Sequence, residues 1–507
     1  MERIDRIPAL WAERRPDAVA LADPAGPRTW RELDAAIAAV ADLLRKRGVR
    51  PGDRVMIVGE NCAAMVAVLF AVASLEAWIV NLNARLSARE IDAIRDHSGA
   101  ICAIFLTDNS AEAAAHAARH DAAALPDFGW GAIACSPLDF SSAPEPAPPA
   151  GESPVAALVY TTGTTGEPKG VMLTHANLLF VAGTAGGLRG LSTADRVLGV
   201  LPMSHVYGLT SVCLGSLLAG ASIHLQARFT PAGLEAALVR DRITLCQGVP
   251  AMYAKYLEHL DGRRVEAPAL RGIYCGGAPL SPSVKAAVEG AFGLPLCNGY
   301  GLTEASPTIT QARTDAPRDD CSVGPALPGV ELRIIDTEGA DAAAGEVGEL
   351  WVRGPNVMKG YYRDWRATAA ALRRGWLATG DLARIAPDGS VHIEGRLKEL
   401  IIRSGFNVFP VEVEAVLNAH PEVSQSAVVG RDVEGNEEVV AFVELVAGAR
   451  ADAAAIAEFA AASLAPYKRP AEVIVLDKLP AAASGKVLKA RLKEMARASA
   501  RPTAPAR

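Results

Sequence analysis

The stretch Tyr160-Thr-Thr-Gly-Thr-Thr-Gly-Glu-Pro-Lys-Gly-Val171 sets hydroxyls, glycines and one lysine between two apolar runs, Val155 to Tyr160 and Val171 to Leu173. Two short strands joined by such a loop gather backbone N–H groups and hydroxyls around one point. Glycine permits the left-handed conformations that aim successive N–H groups there, and Lys169 adds a compact positive charge. The pattern predicts a cradle for a polyanion. It is not a Walker loop. Gly163 to Lys169 has the spacing, but Gly170 stands where Ser or Thr would bind magnesium, and Val171-Met-Leu reads as strand rather than helix.

A chain of 507 residues exceeds one core, so two or more domains are expected. The net charge of −6 argues against a general nucleic-acid binder, which needs a basic surplus. Eight cysteines are scattered through mostly apolar runs with no CxxC, which reads as buried thiols in a reducing, cytoplasmic compartment. The start, Met-Glu-Arg-Ile-Asp, lacks a basic region followed by an apolar core, so no secretory signal is expected. Ala63 to Leu82 is nearly all apolar, but Glu76 interrupts it. It reads as a buried helix running into a buried strand, Ala77-Trp-Ile-Val80, and not as a membrane span.

Residues 1–50 carry apolar positions at helical spacing, as in Trp30-Arg-Glu-Leu-Asp-Ala-Ala-Ile, and are expected to be helical. Helix and strand then alternate from Arg54-Val-Met-Ile-Val58 to about residue 136, the pattern of a parallel sheet with crossovers. Ser141 to Pro154 has no apolar period and reads as a surface linker. Thr174 is placed to cap a helix from His175. Alternation continues through Val197–Leu201, Ile223-His-Leu, Leu245–Val249 and the glycine-broken strand end Gly272-Ile-Tyr-Cys-Gly-Gly-Ala-Pro279. From about 322 the texture turns to β, with a hairpin around Pro387-Asp-Gly-Ser. Beyond 399 a unit of about 100 residues is predicted: a helix from Pro410, strands at 426–430 and 439–446, a helix near 452–464, a strand Glu472–Leu476 and a basic helix after Lys486. Residues 497–507 are Ala, Pro and Arg with Ser and Thr, and a disordered tail is expected.

Four further stretches stand beside the loop: Tyr300-Gly-Leu-Thr-Glu304, Thr379-Gly-Asp381, Gly395-Arg-Leu-Lys-Glu-Leu-Ile401 with Ser404-Gly-Phe-Asn-Val-Phe-Pro410, and Ser484-Gly-Lys486. In this order and spacing the chain resembles the adenylate-forming superfamily of acyl-CoA synthetases, luciferases and carrier-loading adenylation domains, over essentially its whole length. The resemblance implies an α/β fold. A large N-terminal domain (1–396) would combine mixed, mostly parallel sheets, flanking helices and a β-rich subdomain. A hinge at 397–398 would join it to a small mobile α+β domain (399–496).

The resemblance also implies the chemistry. A carboxylate attacks the α-phosphate of ATP and expels pyrophosphate, and a thiol then displaces AMP from the acyl-adenylate. Thr161, Thr162, Gly163, Thr164, Thr165, Gly166 and Lys169 would hold the β- and γ-phosphates. Thr303 and Glu304 would sit at the phosphates, with Glu304 on Mg²⁺, a hard cation that prefers oxygen ligands. Adenine would lie against Tyr300, within Asn298-Gly299-Tyr300-Gly301, opposite Gly276, Gly277, Ala278 and Pro279. Asp381 would accept from the ribose hydroxyls, with Arg396 nearby, and Lys486 would bridge the carboxylate and α-phosphate. Lys398 would be the pivot that brings Ser404, Gly405 and Phe406 to the pantetheine thiol of coenzyme A.

The acyl pocket implied by the resemblance is lined by His205, Tyr207, Gly208, Ser211, Gly276 and Thr308, with His205 as its gate and a catalytic candidate. Gly208, Gly276 and Gly277 read as room for an alkyl chain, and Tyr207 as a residue beside an aromatic ring. Nothing in these segments offers a second positive charge for a dicarboxylate, and Asn298 stands where malonate-activating relatives have Arg. Fatty acids, placed first, and aromatic monocarboxylates remain. The turn Glu76-Ala-Trp-Ile-Val-Asn81-Leu-Asn83 departs from the family's Gly-Ala-x-x-x-Pro-x-Asn. An acyl-CoA ligase is the first expectation and an enzyme loading a carrier protein the alternative. A homodimer and peripheral membrane contact are compatible with the family.

Overall fold

In the computed structural model the structure describes residues 1–162, 168–404, 406–433, 436–446, 448–481 and 487–499, with Thr162 described by its backbone alone. Two eight-stranded sheets make up most of the first 360 residues. In one, parallel neighbours Arg196–Gly199, Leu245–Gly248, Gly272–Cys275 and Leu296–Gly301 run side by side, and Thr308–Gln311 closes the edge antiparallel. In the other, parallel strands Cys102–Leu106, Arg54–Gly59, Trp78–Asn83 and Val155–Thr162 lead to the antiparallel strand Pro168–Thr174, at whose outer side lies Gly360–Tyr361. A five-stranded antiparallel sheet follows, built on Glu331–Ile335, Gly348–Arg353, Trp376–Ile385 and Val391–Arg396.

The apolar segment folds as expected. Ala63–Ser74 is a helix whose first eleven residues are all buried, followed by the strand Trp78–Asn83. Among the described residues no helix is long and apolar enough to cross a membrane. The odd Glu76 takes the left-handed turn conformation (φ 58°), and its carbonyl accepts from Gly52 N at 2.9 Å. The backbone thus makes a left-handed turn although glycine is missing there. Thr174 caps the helix His175–Leu188 in a reciprocal arrangement with Asn177.

Two expectations are corrected. Residues 1–50 are not helical throughout: Val19–Asp23 and Gly26–Thr29 form a hairpin turned at Gly26 (φ 115°). Leu21 pairs in parallel with Ile223, so a place at a sheet edge overrides the helical periodicity. The linker Ser141–Pro154 lies at the surface without helix or strand, as expected, and is pinned there because Glu145 N donates to Gly52 O and Tyr362 OH donates to Glu145 at 2.5 Å. The last helix, Lys489–Ala498, takes in the first residues of the supposed tail because Leu492 and Ala496 are fully buried on its inner face, and residues 500–507 lie outside the described residues.

From residue 401 the buried side chains form two clusters of their own, around Val413, Val428 and Val443 and around Phe442, Leu479 and Leu492. They cover a three-stranded sheet of Val423–Val433, Asn436–Leu445 and Glu472–Leu476. The helix Pro410–Leu417 starts on its proline, as expected. The chain is thus a large α/β unit with a β-rich subdomain and a small α+β unit after it.

Candidate active site

The hairpin Val155–Thr162 and Pro168–Thr174 sets Thr161 directly opposite Lys169 and Thr162 opposite Pro168. Gly163, Thr164, Thr165 and Gly166, read as the phosphate loop, lie outside the described residues, as do Gly405 and Lys486. Beyond Lys169 the hairpin gains a third strand. Tyr361 pairs with Val171, and the Lys169 Nζ lies 5.1 Å from the centre of the Tyr361 ring. The Tyr361 hydroxyl donates to Glu304 Oε1 at 2.7 Å. Burial, and then the Glu304 carboxylate, push the Tyr361 phenol well above its ordinary range. Tyr361 was not singled out from the sequence, where it sits in an unremarked Gly-Tyr-Tyr; its place beside Lys169 becomes visible only through strand pairing.

Glu304 belongs to a short 3₁₀ turn, Thr303–Ala305, directly after the strand Leu296–Gly301. Thr303 is buried and Glu304 half-buried. At Gly301 a Cβ would lie 2.0 Å from the Pro307 carbonyl oxygen, so only glycine permits the crossing there. Upstream, Asn298 holds the strand end by donating to Cys321 O at 3.0 Å and accepting from Gly299 N. The Tyr300 hydroxyl donates to Asp381 Oδ2 at 2.5 Å, and the other Asp381 oxygen faces Arg396 Nε at 3.2 Å. Burial and the Asp381 carboxylate raise the Tyr300 phenol. Asp381 and Arg396 are cross-strand partners in the five-stranded sheet. One short segment, 300–304, therefore joins a cation and carboxylate at each end: Lys169 with Glu304 through Tyr361, and Arg396 with Asp381 beside Tyr300.

The strand Gly272–Cys275 ends at the same edge. Gly276 is buried there, while Gly277, Ala278 and Pro279 are exposed, with Gly277 at φ 79°. A Cβ on Gly276 would lie 3.2 Å from the Gly299 carbonyl oxygen and 3.5 Å from Tyr207 Cε1.

Tyr207 opens an eight-residue π-helical segment, Tyr207–Leu214, whose wide turns re-aim side chains. His205 is exposed just before it, and its Nδ1 accepts from Tyr207 N at 3.2 Å, which leaves the proton of the neutral ring on Nε2. The Ser211 and Thr308 hydroxyls meet at 3.3 Å. Gly208 is not room for an alkyl chain: a Cβ there would lie 2.2 Å from the Pro202 carbonyl oxygen and 2.6 Å from that of Leu201. Its missing side chain is filled by backbone, so it makes the turn pack and opens no space.

A second positive charge stands behind this segment. Arg189, which follows the helix His175–Leu188, is 4% exposed, and its Nη1 donates to Ser211 O at 3.4 Å. It comes from outside the motif-bearing segments, which is why the sequence did not associate it with Ser211.

Of the groups read as contacting coenzyme A, Ser404 sits at φ 52° and its N–H donates to Asn436 Oδ1 at 2.7 Å. Phe406 stacks on Tyr467 with ring centres 4.6 Å apart. Lys398 is exposed in the 3₁₀ turn Leu397–Glu399, directly after Arg396.

Residues 9–362 match the family described as AMP-binding enzyme, and residues 412–486 match the AMP-binding enzyme C-terminal domain. A feruloyl-CoA synthase from Amycolatopsis sp. is 36% identical over 488 residues, covering 96% of this chain and 97% of the relative. A 2-succinylbenzoate–CoA ligase from Geobacillus kaustophilus is 36% identical over 496 residues, covering 96% and 97%. The crystal structure of ATP-bound MatB from Rhodopseudomonas palustris superposes with a TM-score of 0.85 at 29% identity, covering 98% of this chain and 99% of that one. With both family models matched and relatives aligned over nearly its whole length, the chain belongs to the AMP-binding enzymes, among the acid–thiol ligases.

Proposed function

We propose that the protein is an ATP-dependent carboxylate–CoA ligase acting on an aromatic carboxylic acid. The observation that carries this reading is the segment 300–304, which ties Lys169, Tyr361 and Glu304 to Tyr300, Asp381 and Arg396 at one sheet edge. Such a site needs positive charge where phosphates gather and an ionised acceptor where hydroxyls bind. Asp381, with two oxygens, suits the ribose hydroxyls, and Lys169 suits the β- and γ-phosphates. Among the described residues no three metal-ligating side chains cluster, and Glu304 offers one carboxylate. That donor set fits Mg²⁺, which takes one or two protein oxygens and fills the rest with phosphate and water. When bound, the ion would neutralise charge on the phosphates.

In the first half-reaction a carboxylate oxygen bonds to the α-phosphorus as the bond to the β-phosphate oxygen breaks and pyrophosphate leaves. Lys486 is assigned to the carboxylate and α-phosphate. In the second, the thiol sulfur of coenzyme A bonds to the acyl carbon, the bond to AMP breaks, and the thiol proton passes to solvent. Lys398 is assigned as the pivot, with Ser404, Gly405 and Phe406 carried to the thiol by the small unit. The separate buried clusters after residue 401 support such a swing. Lys486→Ala is expected to abolish carboxylate-dependent ATP–pyrophosphate exchange and spare CoA attack on supplied acyl-adenylate; equal loss of both removes the role.

An aromatic substrate now stands ahead of a fatty one. Gly208 is packed against backbone, which withdraws one reason for the alkyl reading, and Tyr207 lies against Gly276. Relatives named for feruloyl, indoleacetate and 2-succinylbenzoate acyl groups align over nearly the whole chain. The test is AMP release across aromatic and alkyl acids, with CoA or a phosphopantetheinyl carrier protein as acceptor. Turnover with CoA and aryl acids supports the proposal. Turnover with carrier alone transfers it to carrier loading, and preference for alkanoic acids overturns the aromatic part.

A further inference from the structure

Three parallel strands present a row of side chains on one face, because Gln247 is paired with Tyr274 and Tyr274 with Cys297. Two residues further along the same face stand Gly276 and Gly299, at the edge where the candidate site opens. The row is therefore the layer directly beneath the glycines, and Tyr207 lies beside Gly276 above it. Glycine above and polar side chains below is an unusual way to build a core.

Arg189 is the polar centre of this layer. Its guanidinium carbon lies 5.3 Å from the centre of the Tyr274 ring, and one Nη donates to Ser211 O. Gln247, fully buried, donates through Nε2 to the same carbonyl at 3.4 Å. Three buried atoms of this layer remain without a partner, the Arg189 Nε donor, the Gln247 Oε1 acceptor and the Tyr274 hydroxyl. The charged and titratable groups around the guanidinium are Tyr207, Tyr274 and Cys297, and no carboxylate is among them. Burial accordingly lowers the Arg189 pKa from its ordinary value. A buried cation with no anion is strongly unfavourable. Buried arginines of this kind are normally paired.

Resting on the ligase reading above, we infer that Arg189 and Gln247 form the far end of the acyl site and select acids whose distal end carries a hydrogen-bond-accepting oxygen, an ionised one above all. Such an oxygen would take the free Nε–H and supply the missing negative charge. A distal hydroxyl could also donate to Gln247 Oε1. A plain hydrocarbon end would leave both groups buried and unpaired, which is how a polar site rejects an analogue lacking the matching group. Tyr207, between Gly276 and this layer, would be the wall that the acid passes.

The test compares kcat/KM for phenylpropenoic acid with its para-hydroxyl, para-methoxyl and para-carboxyl forms, and for octanoate with octanedioate. Wild-type enzyme is expected to favour oxygen-bearing members at least tenfold over their bare parents. In Arg189→Met that preference should fall at least tenfold, and Arg189→Lys should retain part of it for carboxylates alone. Thermal melting establishes that each variant is folded. Should Arg189→Met not fold, Arg189→Lys and the wild-type ratios carry the test. An unchanged preference in a folded variant, with all acids slowed equally, makes Arg189 merely structural and overturns the inference; so does a wild type indifferent to the distal group. Absence of CoA-dependent AMP release with every acid is a different outcome and strikes the underlying ligase reading.

Discussion

The proposed nucleotide side and the proposed acyl side of the candidate site are built in contrasting ways. On the nucleotide side every group but Tyr361 comes from a short contiguous motif, and the groups touch: Lys169 faces Tyr361, which bonds Glu304, while Tyr300 bonds Asp381, which faces Arg396. On the acyl side the groups come singly from distant segments, Arg189, Tyr207, Gln247 and Tyr274, and three buried polar atoms are left without partners. A part common to every reaction of a family can be a fixed pattern of adjacent residues. A part that must differ with the substrate is assembled from side chains that only the fold brings together.

The contrast can be broken from the nucleotide side first. Asp381→Ala removes an ionised acceptor and leaves Arg396 and Tyr300 without their partner; kcat/KM for ATP is expected to fall roughly a thousandfold, with the preference among acids unchanged. A change in acid preference would mean that the two sides are not separable.

Next comes Gly208→Ala, whose Cβ would meet two carbonyl oxygens well inside contact distance. A loss of about 3 kcal/mol in stability is expected from the urea midpoint. Full stability with a shortened acceptable acyl chain would restore Gly208 as pocket space. Tyr361→Phe keeps the ring beside Lys169 but removes the bond to Glu304. About tenfold in pyrophosphate exchange should be lost, mostly as a weaker dependence on added Mg²⁺. The smallest effect is reserved for Glu76→Asn, remote from both sides. Asn tolerates the left-handed turn better than Glu, so stability should rise by about 0.5 kcal/mol and activity stay unchanged.

Much of this was legible in the sequence, and the limits have physical causes. Strands such as Arg54–Gly59 and Leu245–Gly248 were read directly, because burial on a sheet leaves an apolar run bounded by turns. The residues proposed for the nucleotide stand out in the sequence as motifs, since Gly, Thr and Lys at fixed spacing have few structural uses. The hairpin Val19–Thr29 was missed because its pairing partner, Ser222–Leu225, lies some two hundred residues away. Tyr361 and Arg189 were missed for the same reason: nothing local distinguishes a tyrosine beside a phosphate hairpin or an arginine after a helix. Glycine misled most. Gly208 and Gly276 look alike in a sequence, yet one is closed by backbone carbonyls and the other is bordered by a tyrosine ring.

The central claim is that this site joins an acid to a thiol through an adenylate. The direct measurement uses ATP labelled at the α-phosphate with an aryl acid and enzyme, quenched before and after coenzyme A is added. The account predicts labelled acyl-AMP and pyrophosphate before the thiol, close to one per active site, and labelled AMP with acyl-CoA after it. Labelled ADP with free phosphate, or no labelled acyl product until the thiol is present, would contradict it.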